Sequence, residues 1–162
     1  MYFFSYLKFL LSATNQHGVH SPFVYTFVTK CLYHKKKYTH QKSLNVFLKV
    51  ISYFDISQIE IQNKNKTLTD LIAIHFPKVK ENKNTTDFIY FNTIDNELIK
   101  FITDKNITHN KNIIFIDALY KNKKAWEELI LMKKITVSID LFYCGILFFR
   151  KEQAKEHFKI RI

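Results

Sequence analysis

DFIYFNTIDNELIKFIT (Asp87–Thr103) reads as a strand that turns into a helix. In Asp87–Phe91 the four residues after the aspartate are aromatic or β-branched, the composition of a strand. Asp95 is placed to cap a helix over Asn96–Thr103, because a side-chain oxygen there can accept from the first free N–H groups.

The same unit recurs on either side. Before it, Gln58–Gln62 alternates with period two, and a helix over Thr67–Phe76 stops at Pro77. After it, Asn112–Asp117 is a short apolar strand ending in an acid. A helix over Asn122–Lys134 follows, with Ala125, Leu129 and Met132 toward the core. Ile135–Leu141 alternates cleanly. Ile135, Val137, Ile139 and Leu141 share one face; Thr136, Ser138 and Asp140 share the other. Gly145–Phe149 is a further strand, so the last two are expected to pair antiparallel. Arg150–Phe158 reads as a short helix or turn, and Lys159–Ile162 as extended.

Strand–helix alternation predicts an α/β fold with a mostly parallel sheet and helices on its faces. In open sheets of this kind ligands sit beyond the carboxyl ends of the strands. That rule selects three segments, Gln62–Lys66, Asn92–Asp95 and Asp117–Lys121.

The N-terminal third is helical instead. In Tyr2–Thr14 the polar residues Ser5, Lys8 and Ser12 make a narrow stripe and the rest is apolar, so most of the circumference is expected to be buried against the core or a partner chain, with membrane-surface binding the minor alternative. His17-Gly18-Val19-His20 breaks that helix. Ser21-Pro22 starts the next, serine as cap and proline at the first helical position; it runs to about Tyr33. A basic connection, His34 to His40, leads to a third helix over Lys42–Phe54. The 162 residues therefore form one domain, with a helical segment over 1–55 and a sheet over 56–162.

Composition narrows function. The chain is 47% hydrophobic and 16% aromatic, enough to build a substantial core, and holds only two glycines and two prolines. A glycine-rich phosphate cradle is hard to build from so few, since such loops need positive φ and close backbone approach. The net charge of +11 attracts polyanions and anionic surfaces. Nearly all of it is lysine; Arg150 and Arg161 are the only arginines, which disfavours bidentate phosphate or guanine recognition. The run Tyr33–Lys42, with Lys35-Lys36-Lys37 among histidines and tyrosines, is the best nucleic-acid candidate, although such runs are more often solvated loops.

Cys31 and Cys144 flank no metal-like motif and read as reduced, partly buried thiols of a cytoplasmic protein. His17 and His20 are too few for a zinc site, which takes about three or four ligands, so no metal is expected. Met1–Ala13 lacks a basic flank and a cleavage site, and is shorter than the ~20 apolar residues of a bilayer span. No other run qualifies as transmembrane. A homodimer or a protein partner could cover an exposed strand edge or helix face.

Two segments carry a likeness. They are Ser5–Leu11 with NQHGVHSPFVYTFVTKCLY (Asn15–Tyr33), and TVSIDLFYCGILFFRKEQAKEHFKIRI (Thr136–Ile162). Both resemble a family of Bacteroidetes class I S-adenosylmethionine-dependent methyltransferases, many of them O-methyltransferase-like. The match is close at both termini and follows the middle in outline. It implies a Rossmann-like sheet that ends in a β-hairpin and is preceded by N-terminal helices.

The resemblance also implies site residues, and several are altered. Ile59–Lys66 falls where the family has its first strand and an E-x-G-x-x-x-G loop; Glu60 is kept, while Gln62 and Lys66 occupy the glycine positions. Asn92 ends the strand where the family reads Asp-Gly-Asn-His. Asp117 and Tyr120 fall in the segment that carries Asp-Asp-Ile-His, so one acid and the histidine are lost. Between Phe76 and Asp87 only a loop is expected, where the family has a strand whose acid holds the cofactor ribose. The implied cofactor contacts are thus Glu60, Gln62 and Asn92, all vestigial, and the implied catalytic pair is Asp117 and Tyr120. Side chains at 62 and 66 fill space that a nucleoside needs, although Lys64 and Lys66 could still attract an anion. The expectation is a degenerate methyltransferase-like protein without S-adenosylmethionine. An active enzyme with a remodelled pocket, and a basic nucleic-acid or anionic-surface binder, are the alternatives.

Overall fold

The computed structural model describes residues 2–63, 65–83, 87–104 and 110–162. Seven strands form one sheet: β1 (Gln58–Ile61), β2 (Lys80–Glu81), β3 (Phe88–Phe91), β4 (Ile113–Asp117), β5 (Val137–Asp140), β6 (Cys144–Phe148) and β7 (Glu156–Lys159). Their order across the sheet is β2-β1-β3-β4-β6-β5-β7. The pairs β2–β1, β1–β3, β3–β4 and β5–β7 are parallel. β6 is antiparallel to both of its neighbours, β4 and β5. The fold is Rossmann-like α/β with a C-terminal β-hairpin; the strand–helix alternation predicts its mostly parallel sheet with helices on both faces.

Both faces of the sheet are covered. On one lie α2 (Pro22–Phe27, prolonged by a π-helical turn Val28–Leu32), α3 (Lys42–Phe54) and α4 (Lys66–His75). Their Phe27, Phe47, Leu48, Ile51 and Leu68 pack on Ile59, Phe88, Phe115 and Phe148. On the other lie α5 (Asn96–Asp104) and α6 (Lys123–Leu129), whose Leu98, Ile102 and Trp126 pack on Ile89, Phe91, Ile114 and Leu147. Period-two alternation along each strand therefore sorts its side chains between two apolar layers. The expected caps are in place. Ser21 Oγ accepts from Val24 N at 3.4 Å and also donates to Gln153 Oε1 at 2.9 Å. Asp95 Oδ1 accepts from Leu98 N at 2.9 Å.

Four expectations change. The segment between Phe76 and Asp87 is more than a loop, because Lys80–Glu81 adds a two-residue parallel strand beside β1 (Gln58↔Lys80, Ile59↔Glu81). Arg150–Phe158 is not helical; Glu156–Lys159 is extended and pairs with β5, a non-local contact that no local pattern announces. The helix expected to reach Lys134 stops at Leu129, and the carbonyls of Leu131 and Met132 accept from Lys155 Nζ at 2.8 and 2.9 Å. Ser138 and Asp140, on the polar side of β5, are buried: Ser138 Oγ lies 2.7 Å from His157 Nδ1 on β7, and Asp140 folds into the following turn.

The fourth concerns α1 (Tyr2–Ser12), which has only Phe9 buried. Tyr2, Tyr6 and Phe9 rest on Phe142, with ring centroids 5.4, 4.8 and 5.5 Å away. Phe142 heads the β5–β6 turn with φ 69° and is fully buried. Beyond α1 the chain ties back to the C-terminus, Thr14 bridging Ile160.

Candidate functional site

β1 leads to β2 on its one side, while β3 leads to β4 on the other. The strand order therefore reverses between β1 and β3, and that switch point opens a crevice at the carboxyl ends in sheets of this class. The three segments selected from the sequence do converge there. The first is tied directly to the second, and bonds through Tyr90 and Asn122 reach the third.

At the end of β1, Gln62 Nε2 donates to Glu60 Oε1, and Glu60 is buried. Asn63 follows in the left-handed region, with φ 64°, and its Nδ2 donates across the switch point to Asn92 Oδ1 at 3.3 Å. Asn65 caps α4 by accepting from Leu68 N at 3.1 Å. Its Nδ2 also donates to the Tyr90 hydroxyl oxygen at 3.4 Å, and Tyr90 in turn donates to Asp117 Oδ2 at 2.8 Å. The other carboxyl oxygen of Asp117 accepts from Ala118 N at 2.6 Å. Ala118 is itself left-handed, φ 48°. Asn122 Nδ2 donates to Ile94 O at 3.0 Å and links the β4 and β3 loops.

Burial pushes the Tyr90 hydroxyl well above the usual tyrosine range, and the neighbouring Asp117 adds to the shift. Tyr90 therefore stays protonated and acts as a donor.

Asp117 and Tyr120, the implied catalytic pair, share one cleft of about 350 Å3 with Gln41, Lys42, Lys121 and Tyr143. Glu60, Gln62 and Asn92 do not line it. The two implied sets thus occupy adjacent but separate places along the crest. Lys66 is exposed at the first turn of α4, and Lys64 lies outside the described residues.

Sequence reasoning missed Tyr90 and Asn65, the two residues that connect β1 to β4. A tyrosine in the middle of an apolar strand reads as core, and only its neighbours reveal that its oxygen reaches the crest. It also missed Glu81, the acid that ends β2. That residue pairs with Ile59, two positions short of the end of β1, and borders a hollow of about 280 Å3 with Ile61, Ile72 and Val79.

Other candidates resolve simply. His17 is exposed in a single 3-10 turn that Asn15 caps, its N donating to Asn15 Oδ1 at 3.0 Å. His20 is also exposed, and no cluster of three or more His, Cys, Asp or Glu suited to a metal occurs among the described residues. Cys31 and Cys144 are free and fully rather than partly buried. Lys35 and Lys37 border a cavity of about 600 Å3 with Lys42, Lys49, Arg161 and the apolar Leu32 and Val46. Lys49 Nζ donates to Leu32 O and His34 O at 2.8 and 2.7 Å.

Compared with family models, with curated proteins and with solved structures, the chain finds no match in any of the three.

Proposed function

We propose that the chain is a class I methyltransferase-like protein that does not bind S-adenosylmethionine and acts through its surface. One observation carries this reading: the polar groups at the switch point are bonded to one another. Gln62 holds Glu60, Asn63 holds Asn92, and both carboxyl oxygens of Asp117 have donors. A nucleoside entering there would have to break these bonds and displace the Gln62 side chain, with no glycine to give way. The resemblance at the two termini supplies the family; the altered loop supplies the loss of cofactor. Calorimetric titration with S-adenosylmethionine and with its demethylated product tests it. No heat of binding up to millimolar ligand is expected, and micromolar affinity overturns the reading.

A second reading, methyl transfer from a remodelled pocket, is favoured by the cleft that Asp117 and Tyr120 share. Under it, replacing Asp117 and Glu60 abolishes methyl transfer. Activity that survives both changes rejects it.

A further inference from the structure

We propose that α1 is a membrane-surface anchor that lies in the headgroup layer of an anionic bilayer. The inference does not depend on whether the crest binds a nucleoside.

α1 has two apolar faces, and only one of them is used. Tyr2, Tyr6 and Phe9 face the sheet, against Phe142, Tyr120 and Tyr143. Phe3, Phe4, Leu7 and Leu11 face away and are 68%, 69%, 45% and 82% exposed. At 3.6 residues per turn these four fall within an arc of roughly 100°, opposite the packed face. A helix that needed only to cover the core would carry polar residues there.

The charge around the helix names the partner. Lys8 is the only charged residue of α1, which has no acidic side chain. A collar of lysines stands over the rings that seat it. Lys121 lies 5.9 Å from the Tyr120 ring, Lys123 lies 5.0 Å from Phe142 and 5.8 Å from Phe9, and Lys42 lies 4.8 Å from Tyr143. Lys42 also borders the cavity of Lys35, Lys37, Lys49 and Arg161, whose lining has no acidic side chain.

An apolar stripe on a helix whose seat is ringed by cations matches a surface that is anionic at the headgroups and apolar just below them. A second copy of the chain would bring the same collar and the same +11 charge against its own. A phosphate backbone would satisfy the lysines but offers nothing to Leu7 and Leu11. The helix has 11 residues, and no helix among the described residues is long and apolar enough to cross a membrane, so α1 lies on the bilayer rather than through it.

The test is co-sedimentation of the full chain with phosphatidylcholine vesicles, with or without about 30% phosphatidylserine, a content that gives a negative surface potential. Binding to the anionic vesicles alone is expected, and it should weaken steeply with salt. Phe4→Ser with Leu11→Ser should reduce it at least tenfold. Both side chains are solvent-exposed, so the thermal midpoint should stay put and a folding defect can be told apart from lost binding. Lys121→Glu with Lys123→Glu should also weaken it, while Leu131→Ser, a control at an exposed leucine far along the chain, should not. Equal binding to neutral vesicles, indifference to the Phe4/Leu11 pair, or a dimer in light scattering that this pair dissociates would overturn the proposal. So would retention on DNA that depends on the same two residues.

Discussion

The Tyr90 hydroxyl donates to Asp117 Oδ2 at 2.8 Å, joining the middle of β3 to the end of β4. With Ala118 N on the other oxygen, the carboxyl group is held from two sides. These two bonds fix the β4 loop. The first explains why a tyrosine occupies a strand otherwise made of phenylalanine and isoleucine: its ring packs on Phe47 and Phe115 while its oxygen reaches the polar crest.

Tyr90→Phe should therefore keep the packing and lose the bond. A hydrogen bond to a charged group contributes about 1.5–3 kcal/mol, and a loss of that size is expected in urea unfolding. Asp117→Asn should cost less, because an amide can still accept from Ala118 N and donate to the Tyr90 oxygen. If Asp117→Asn destabilises more than Tyr90→Phe, the bond is not what holds the loop.

The sheet was legible because its signals are local. Gln58–Ile61 and Ile113–Asp117 show strand composition over four or five residues, and Ser21 and Asp95 mark helix starts by single side chains. β7 was not, since Glu156–Lys159 extends only because β5 leaves an edge for it. β2 was too short to show a period. The candidate site was legible as three loops, but its bonding was not. Nothing in the spacing of Asn65, Tyr90 and Asp117 indicates that they form one chain of hydrogen bonds. The exposure of α1 was misread because an apolar helix is ordinarily buried, and its sequence does not say that its seat is a single turn.

That seat is Phe142, a non-glycine residue at φ 69°. Left-handed backbone costs an ordinary residue about 1–2 kcal/mol, and five aromatic rings around the side chain offset it. Phe142→Ala should lose about 3–5 kcal/mol and release α1, seen as early proteolysis near residue 12. Phe142→Gly should be the more stable of the two by about 1 kcal/mol, since it removes the ring but also the strain. Alanine above glycine would reject this account of the turn.

Both thiols should be inert in the folded protein. Burial pushes Cys31 up to about 12 and Cys144 well above its ordinary value, and only thiolates react quickly. A disulfide-exchange reagent at pH 8 should label neither thiol until denaturant is added, and then both. Rapid labelling of either in the native state would show that its surroundings open.

Gly145 sits under the indole of Trp126. A Cβ placed there would lie 2.7 Å from Trp126 Cζ3 and 3.2 Å from Leu119 Cδ2. Gly145→Ala should destabilise by about 1–3 kcal/mol, the usual effect of overpacking. Trp126→Leu makes room, so in the double variant the alanine should cost less than it does alone. Simple addition of the two effects would mean that the indole is not the obstacle.

Asp140 sets a pH dependence of unusual sign for an acid. Its Oδ1 accepts from Phe142 N at 2.7 Å, and the residue is 6% exposed. Burial raises its pKa, and the backbone bond and the charges of Lys123 and Lys159 only partly oppose this. The folded state therefore holds the proton more tightly than the unfolded chain. Asp140 contributes stability fully below its unfolded pKa, about 3.9, and that contribution is lost as pH rises through the higher folded value. Asp140→Asn keeps an acceptor for Phe142 N and has no charge to bury. Relative to it, the parent protein should lose stability as pH climbs from about 4 toward neutrality, measured by urea unfolding at each pH. A difference between the two that grows in the parent's favour as pH rises would mean that the lysines, not burial, dominate the site.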